Sequence, residues 1–209
     1  MTFNHDSLKA VMRCCSELMQ ENKQYLIDLD SALGDGDLGL TMTAGFAEGV
    51  NFVNSSQETD LGKLTMMMGM AISKKVPSTM GTLVASGFMG AGKTAKGLSE
   101  INAEQFALYI EGFVNGVMNR GKASPGDRTL VDSLYPASEA LKKSIATGND
   151  ISKALEDAFN AAVDGVEKTK NMMPKFGRAV YYGDQVWGKE DQGAVVGRLI
   201  FEGFRNALS

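Results

Sequence analysis

Hydrophobic residues recur along most of the chain at the three- and four-residue spacing of an amphipathic α-helix. Leu8, Val11, Met12 and Cys15 begin the pattern near the N-terminus. It predicts eight helices, which in chain order cover about Asp6–Glu21, the residues after Asp37, the residues after Thr59, Gly81–Leu98, the residues from Asn102, those from Arg128 to about Thr147, those from about Asp150, and Gly193–Leu208. The helix from Asn102 has Gln105 three residues later, a spacing typical of a capping box.

Strand signals are weak. Only residues 81–85 and 179–182 have a β-like composition, and both runs are short and isolated. We therefore expect a single all-α domain over residues 1–209. Three connections, over residues 29–39, 120–129 and 176–193, combine glycine with charge, and in an antiparallel bundle they would meet at one end. Residues 22–30 could hold an extra turn.

Composition and charge limit the classes of function. The chain has 209 residues, a net charge of -4 and 44% hydrophobic residues, as in an ordinary globular protein. Its pI is about 5.1 and it has no Lys/Arg block, so a nucleic-acid partner is not expected. Because it has neither an apolar run of roughly 18 residues nor a secretory signal, we expect no membrane span and a cytoplasmic location.

The chain has a single histidine, His5, and two adjacent cysteines, Cys14 and Cys15. Neighbours on a helix point in different directions, so buried free thiols are favoured over a disulfide. One histidine in the N-terminal segment makes Ser-His-Asp catalysis, Cys-His catalysis and histidine-rich zinc sites poor hypotheses.

The glycine-rich segment over residues 29–39 carries three aspartates, Asp30, Asp35 and Asp37. In a looped backbone, residues two apart point to the same side, so Asp35 and Asp37 would repel each other unless a cation lies between them. Carboxylate oxygens suit Mg²⁺ or Ca²⁺. The spacing does not fit an EF-hand. A solvated acidic turn, with Asp37 capping the following helix, is the alternative.

Three motifs resemble one known family, the L subunit of dihydroxyacetone kinases. They are LDSALGDGDLGLTM over residues 29–42, RGKASPGDRTLVD over residues 120–132, and a run from Gly177 to Gly193 that continues after its first glycine as RAVYYGDQVWGKEDQG. Each motif alone is moderately specific. All three occur in the family's order, so the resemblance covers nearly the whole chain.

The resemblance implies an eight-helix antiparallel barrel with a nucleotide, ADP or ATP, at one end. It implies that Asp30, Asp35 and Asp37 hold two Mg²⁺ ions at the nucleotide phosphates, with Arg178 as a fixed positive charge. The catalytic group would then be these three aspartates and Arg178. The implied nucleotide contacts are Leu38, Gly39, Leu40, Thr41, Ser78, Thr79, Met80, Gly121, Leu130, Arg178, Asp191, Gln192 and Gly193.

The resemblance also implies partners. In the family a separate K subunit binds the ketose through a histidine, and this chain has no histidine to spare. The phosphoryl donor is either ATP or a phosphohistidine relay protein of a phosphotransferase system, and the sequence leaves both open, as it does a homodimer.

The chain departs from the family at several positions of the nucleotide end. Leu38 stands where the family has histidine, Thr41 where it has asparagine, and Gln192 where it has proline. In the family's glycine- and serine-rich stretch, residues 77–82 here, only Gly81 is kept. Ser78 and Thr79 could contact a phosphate or cap the following helix. A nucleotide-binding regulatory module without catalysis is therefore the first alternative.

A second alternative is a P-loop NTPase, because residues 87–94 match G-x-x-x-x-G-K-[ST]. A P-loop must leave a strand and enter a helix within an α/β domain. No set of strands is predicted around it. We therefore expect its glycines to allow close helix packing and Lys93 to lie at the surface.

Overall fold

The computed structural model describes residues 2–208 of the chain, and these form an all-α structure. The helices are α1 (His5–Glu21), α2 (Lys23–Leu33), α3 (Leu38–Ser55), α4 (Leu61–Lys75), α5 (Thr79–Thr94), α6 (Ala103–Gly121), α7 (Val131–Ala146), α8 (Ile151–Thr169) and α9 (Gln192–Leu208). A 3₁₀ segment covers Arg178–Val186, and two short strands, β1 (Phe3–Asn4) and β2 (Glu100–Ile101), pair antiparallel.

Eight of the helices form a closed ring. α3 packs against α1, each of α4 to α9 packs against the helix before it, and α9 packs against α1, which closes the ring. Neighbouring helices run antiparallel: His5, at the start of α1, lies against Val53 near the end of α3, while the hydroxyl of Thr43 donates to the carbonyl of Met19 at 3.4 Å. The loops therefore alternate between the two ends of the barrel.

All eight predicted helices are present, and the all-α fold is confirmed. The two β-like runs lie in helical segments, α5 and the 3₁₀ segment. The sequence interpretation was wrong over residues 22–33, where it expected a connection with at most an extra turn. Those residues form α2, which places Asp30 in the last turn of a helix and leaves a four-residue loop before α3.

Aromatic rings from several helices fill the barrel. Phe88 packs edge-on against Phe113 at 5.0 Å and Phe46 at 6.2 Å, and Phe106 packs against Phe204 at 5.9 Å. These buried rings belong to one continuous hydrophobic core. Burial of apolar area on this scale is the main favourable term in folding.

Glycines bring α4, α5 and α6 into close contact. A Cβ on Gly90 would collide with the carbonyl oxygen of Gly112, and one on Gly92 would lie 2.5 Å from the carbonyl oxygen of Gly62. The run over residues 87–94 thus lies inside α5, with Lys93 exposed. The P-loop alternative is wrong, and the glycines serve helix packing as expected.

One end of the barrel collects four helix N-termini, those of α3, α5, α7 and α9. Free backbone N–H groups at such positions favour anions. The three connections that combine glycine with charge enter or border this end. None of the helices within residues 2–208 is long and apolar enough to cross a bilayer.

Candidate functional site

Asp30 is the buried member of the acidic cluster. One of its carboxylate oxygens accepts a hydrogen bond from the backbone N–H of Leu38 at 3.2 Å, and the other accepts one from Nε2 of Gln192 at 3.4 Å. The carboxylate therefore connects the end of α2 with the first residues of α3 and α9. Position 34 requires glycine, because a Cβ there would collide with the side chain of Asp30.

Asp35 and Asp37 lie on the short loop between α2 and α3, and both are exposed. Gly36 between them has a φ of +76°, a left-handed conformation that glycine adopts without strain. Asp37 precedes α3, but its side chain makes no capping hydrogen bond. The alternative in which Asp37 caps this helix through its side chain is therefore wrong, and its carboxylate is left for the cluster.

The three carboxylates converge. One oxygen from each of Asp30, Asp35 and Asp37 lies within 4.8 Å of the other two. Desolvation raises the pKa of Asp37 above its ordinary value, and the charges of Asp35 and Asp30 raise it further, while Arg178 lowers it. Three converging oxygen donors that repel one another fit a divalent cation of the Mg²⁺ type.

Arg178 reaches the cluster from the first residue of the 3₁₀ segment. Its Nη2 lies 2.8 Å from Oδ2 of Asp35, and its side chain is 66% exposed. The guanidinium and the carboxylates line a cavity of about 420 Å³. Among the predicted contact residues, this cavity is also lined by Leu38, Ser78, Thr79, Met80 and Gln192.

A second cavity of about 620 Å³ adjoins the first, and residues 77–79 and Gly177 line both. Gly121 and Leu130 lie in its wall, as do the apolar side chains of Leu83 and Val117. The sequence interpretation missed Leu83, Val117 and Phe176, which also line it. Nothing in the sequence distinguishes Leu83 and Val117 from ordinary core positions, whereas Phe176 is the first residue of the third connection that combines glycine with charge.

Ser78 lies where the two cavities meet. It is the N-cap of α5, and its hydroxyl accepts a hydrogen bond from the backbone N–H of Gly81 at 3.0 Å. The capping alternative therefore describes Ser78. Thr79 is the first residue of α5, so this helix N-terminus opens onto both cavities.

Five of the predicted contact residues line neither cavity. Leu40 and Thr41 line a shallow groove beside Lys75 that meets the two cavities at Pro77 and Ser78, and Leu40 is 54% exposed. Gly39 is buried against α2, since a Cβ would collide with the carbonyl oxygen of Lys23. Gly193 packs behind the cavity wall, where a Cβ would lie 3.0 Å from the backbone nitrogen of Leu130.

Asp191 also lies behind the wall. It is buried, and its carboxylate accepts a hydrogen bond from the backbone N–H of Ala194 at 2.9 Å, so it caps the start of α9. Burial raises the pKa of Asp191 to about 6, partly opposed by the N–H of Ala194 and the charge of Arg128. Its position supports the helix end from which Gln192 reaches Asp30.

The motif over residues 120–132 contains charged residues to which the sequence interpretation assigned no role. Asp132 accepts hydrogen bonds from the backbone N–H groups of Gly126, at 2.6 Å, and Thr129, at 2.7 Å, which shapes the loop before α7. Asp127 pairs with Lys175 at 2.5 Å. Arg128 is buried and donates to the backbone carbonyls of Thr169, the last residue of α8, and of Lys189. Charged residues of these types are ordinarily exposed, so the residue types alone do not indicate this burial.

The fold and site thus define an all-α protein with an acidic, cation-type cluster and an adjoining apolar cavity at one end of a helical barrel. The family model of the DAK2 domain matches residues 32–206. The chain is 31% identical over 180 residues to the PEP-dependent dihydroxyacetone kinase, ADP-binding subunit DhaL, of Escherichia coli strain K12, covering 86% of each chain. It is 32% identical over 201 residues to subunit DhaL of kinase 1 of Listeria innocua, covering 96% of each.

A solved structure supports the fold. The dihydroxyacetone kinase from C. freundii, in complex with AMP-PNP and Mg²⁺, superposes with a TM-score of 0.71 over 95% of this chain and 33% of that one, at 24% identity. The chain belongs to the DAK2 domain family, as a kinase subunit of the dihydroxyacetone kinase L type. The resemblance seen in the three sequence motifs is therefore confirmed.

Proposed function

We propose that this chain is the nucleotide- and Mg²⁺-carrying subunit of a kinase for dihydroxyacetone or a related ketose. One observation carries the proposal: the oxygens of Asp30, Asp35 and Asp37 converge within 4.8 Å, in a cavity that adjoins a larger, mostly apolar one. The cavity beside the carboxylates suits cations with phosphates, and the larger apolar cavity suits a purine base. The names of the relatives as ADP-binding subunits support the same function.

In this proposal the nucleotide lies across the N-terminus of α5. The base occupies the cavity walled by Leu83, Val117 and Leu130, and the phosphates lie towards the carboxylates. Backbone N–H groups at the start of α5 favour the phosphates, and Arg178 adds a positive charge beside Asp35. We assign two Mg²⁺ ions to the three carboxylates.

The chemistry proposed is phosphoryl transfer, which depends on positioning and charge neutralisation more than on covalent catalysis by the protein. Bound Mg²⁺ would supply neutralisation of the phosphate charge. The chain's own residues would hold and orient the Mg²⁺ ions and the phosphates. Asp30 is fixed by Leu38 and Gln192, while Arg178 approaches from the 3₁₀ segment. The transferred group can leave the site because Asp35 and Asp37 are exposed.

The sugar is assigned to a separate K-type subunit. The only histidine of the chain, His5, has its Nε2 2.9 Å from the carbonyl oxygen of Val53, at the barrel end opposite the carboxylates. A histidine that holds the ketose must therefore come from another chain. The donor is proposed to be a phosphohistidine relay protein, because the relatives are named PEP-dependent or PTS-dependent; ATP is the alternative.

The experiment is to denature the purified protein and measure the nucleotide and metal released. ADP with about two Mg²⁺ per chain would support a nucleotide held as a cofactor. An empty protein whose melting temperature rises with Mg·ATP would favour an ATP-exchanging kinase. An empty protein that binds neither would contradict the proposal. Tight Mg·ADP binding without transfer, when a K-type partner and donors are supplied, would favour the regulatory module.

A further inference from the structure

The side chain of Gln192 is anchored to the acidic cluster. It is the first residue of α9, and its Nε2 donates a hydrogen bond to Oδ1 of Asp30 at 3.4 Å. The same side chain lines the 420 Å³ cavity together with Asp35 and Asp37. The amide is therefore part of the carboxylate site and not of the surrounding surface.

The other end of this amide has no partner. Oε1 of Gln192 is buried, and no donor among the described residues lies within hydrogen-bonding distance. Rotating the amide by 180° would not remedy this, because it would bring the carbonyl oxygen against the carboxylate of Asp30. A buried acceptor without a donor is unfavourable and needs a partner that the chain itself does not supply.

We infer that Oε1 of Gln192 is a fourth oxygen donor at the site formed by Asp30, Asp35 and Asp37 and binds one of the Mg²⁺ ions held there. The inference rests on the proposed function, in which those carboxylates carry Mg²⁺. Hard divalent cations bind amide carbonyl oxygens as well as carboxylates. A neutral oxygen adds a ligand without adding to the repulsion among three carboxylates.

Gln192 is one of the positions at which the chain departs from the family motif. The family motif that resembles residues 177–193 has proline at position 192, and proline has no side-chain oxygen. With Gln192, one amide does two things: its N–H orients the buried carboxylate of Asp30, and its carbonyl oxygen binds the ion. Residues that orient a metal ligand typically change metal affinity by about tenfold to a hundredfold when they are replaced.

The test is titration of the full-length protein with Mn²⁺ alone, followed by the electron paramagnetic resonance signal of the free ion. Gln192→Met keeps the side-chain length and removes both amide groups, and Mn²⁺ affinity should fall about tenfold or more. Water proton relaxation per bound Mn²⁺ should rise, because water takes the lost ligand position. Gln20→Met, at an exposed position of α1, should change neither value.

Gln192→Glu separates the two roles of the amide. If Oε1 binds the cation, the carboxylate keeps that oxygen, and water proton relaxation per bound Mn²⁺ stays at the value of the unmodified protein. If only the N–H to Asp30 matters, Gln192→Met weakens binding without raising the relaxation per bound Mn²⁺, and the inference is wrong. Unchanged Mn²⁺ affinity in Gln192→Met would overturn it as well.

Asp35→Asn distinguishes failure of this inference from failure of the proposed function. If Asp35→Asn loses Mn²⁺ while Gln192→Met keeps it, the metal site stands and Gln192 is not a ligand. If the unmodified protein binds neither Mn²⁺ nor Mg·ADP, both the proposed function and this inference are wrong. Melting temperatures of all variants, measured without metal, show whether each is folded.

Discussion

Nε of Arg128 donates a hydrogen bond to the carbonyl oxygen of Thr169 at 3.1 Å, which ties the loop before α7 to the last residue of α8. Nη2 donates to the carbonyl of Lys189 at 3.0 Å and more weakly to that of Val186 at 3.4 Å. The guanidinium thus holds both ends of the segment over residues 170–191, which carries Arg178. Burial lowers the pKa of Arg128, opposed by the charge of Asp191.

Replacing Arg128 by methionine should therefore both destabilise the protein and weaken nucleotide binding. The backbone carbonyls of the buried residues Thr169 and Val186 would lose their hydrogen-bond donor, which destabilises the folded protein. Because the desolvation cost of the buried cation is removed as well, the net loss of stability should be about 2 kcal/mol. Urea unfolding measures the stability, and Mg·ADP titration of the folded variant measures binding. Lys142→Ala, which breaks an exposed pair with Glu111, should have a much smaller effect on stability.

Asp35→Asn should reduce Mg²⁺-dependent ADP affinity by at least about tenfold, because one of three converging carboxylates is lost. Without metal the variant should be as stable as the unmodified protein, since the repulsion that helps to raise the pKa of Asp37 is relieved. Calorimetry with Mg·ADP is the measurement. Asp28→Asn, on the exposed face of α2, is the matched control, and equal affinity in both variants would contradict the site.

Gly90→Ala and Lys93→Ala should have opposite outcomes within one helix. A methyl group at Gly90 meets the backbone of Gly112, so α5 and α6 must separate, at a cost of about 1–3 kcal/mol. Lys93 is exposed, and its truncation should change stability by less than about 0.5 kcal/mol and leave nucleotide affinity unchanged. Loss of nucleotide binding in Lys93→Ala would be incompatible with the helix-packing role of this run.

Asp191→Asn should change the pH dependence of stability. The pKa of Asp191 is raised to about 6 from 3.8, so the unfolded chain loses this proton first as the pH rises. The contribution of Asp191 to stability is therefore lost between about pH 4 and pH 6. Asparagine does not titrate and keeps an acceptor for the N–H of Ala194.

The free energy of unfolding of Asp191→Asn, minus that of the unmodified protein, should accordingly rise by up to about 3 kcal/mol between pH 4 and pH 7. Urea titrations at several pH values measure it. A difference that stays constant with pH would show that Asp191 is not desolvated in the folded protein.

The helices that the sequence predicted are those with an uninterrupted apolar stripe. α2 lacks one: its inward positions are Leu26, Asp30 and Leu33, so a carboxylate occupies the middle of the buried face and hides the period. The β1–β2 pair joins residues almost a hundred positions apart, and two-residue strands have no local signal. Both features depend on tertiary contacts that periodicity does not record.

The candidate site was predictable to the extent that its residues form motifs. Asp35 and Asp37 are conspicuous in the sequence because glycines separate and flank them, and the structure brings both to Asp30. Arg128 is not conspicuous, because a charged residue among glycine, proline and serine is typical of an exposed loop, whereas here it is 1% exposed. The wall residues Leu83 and Val117 belong to apolar stripes that predict a core and not a cavity. Which roles these residues have in binding stays a prediction.

The closed ring has a consequence for how the protein folds. Cys15 in α1 donates to the carbonyl of Ile200 in α9, a contact across 185 positions, whereas most helix pairs join neighbours in the sequence. Local helix pairs can form quickly. The contact between α1 and α9 closes a long loop at a large entropy cost, and it can form only after α9 has left the ribosome. Until then the apolar sides of α1 and α8 lack their cover, so a nascent chain halted before residue 192 would be prone to aggregation and a client for chaperones.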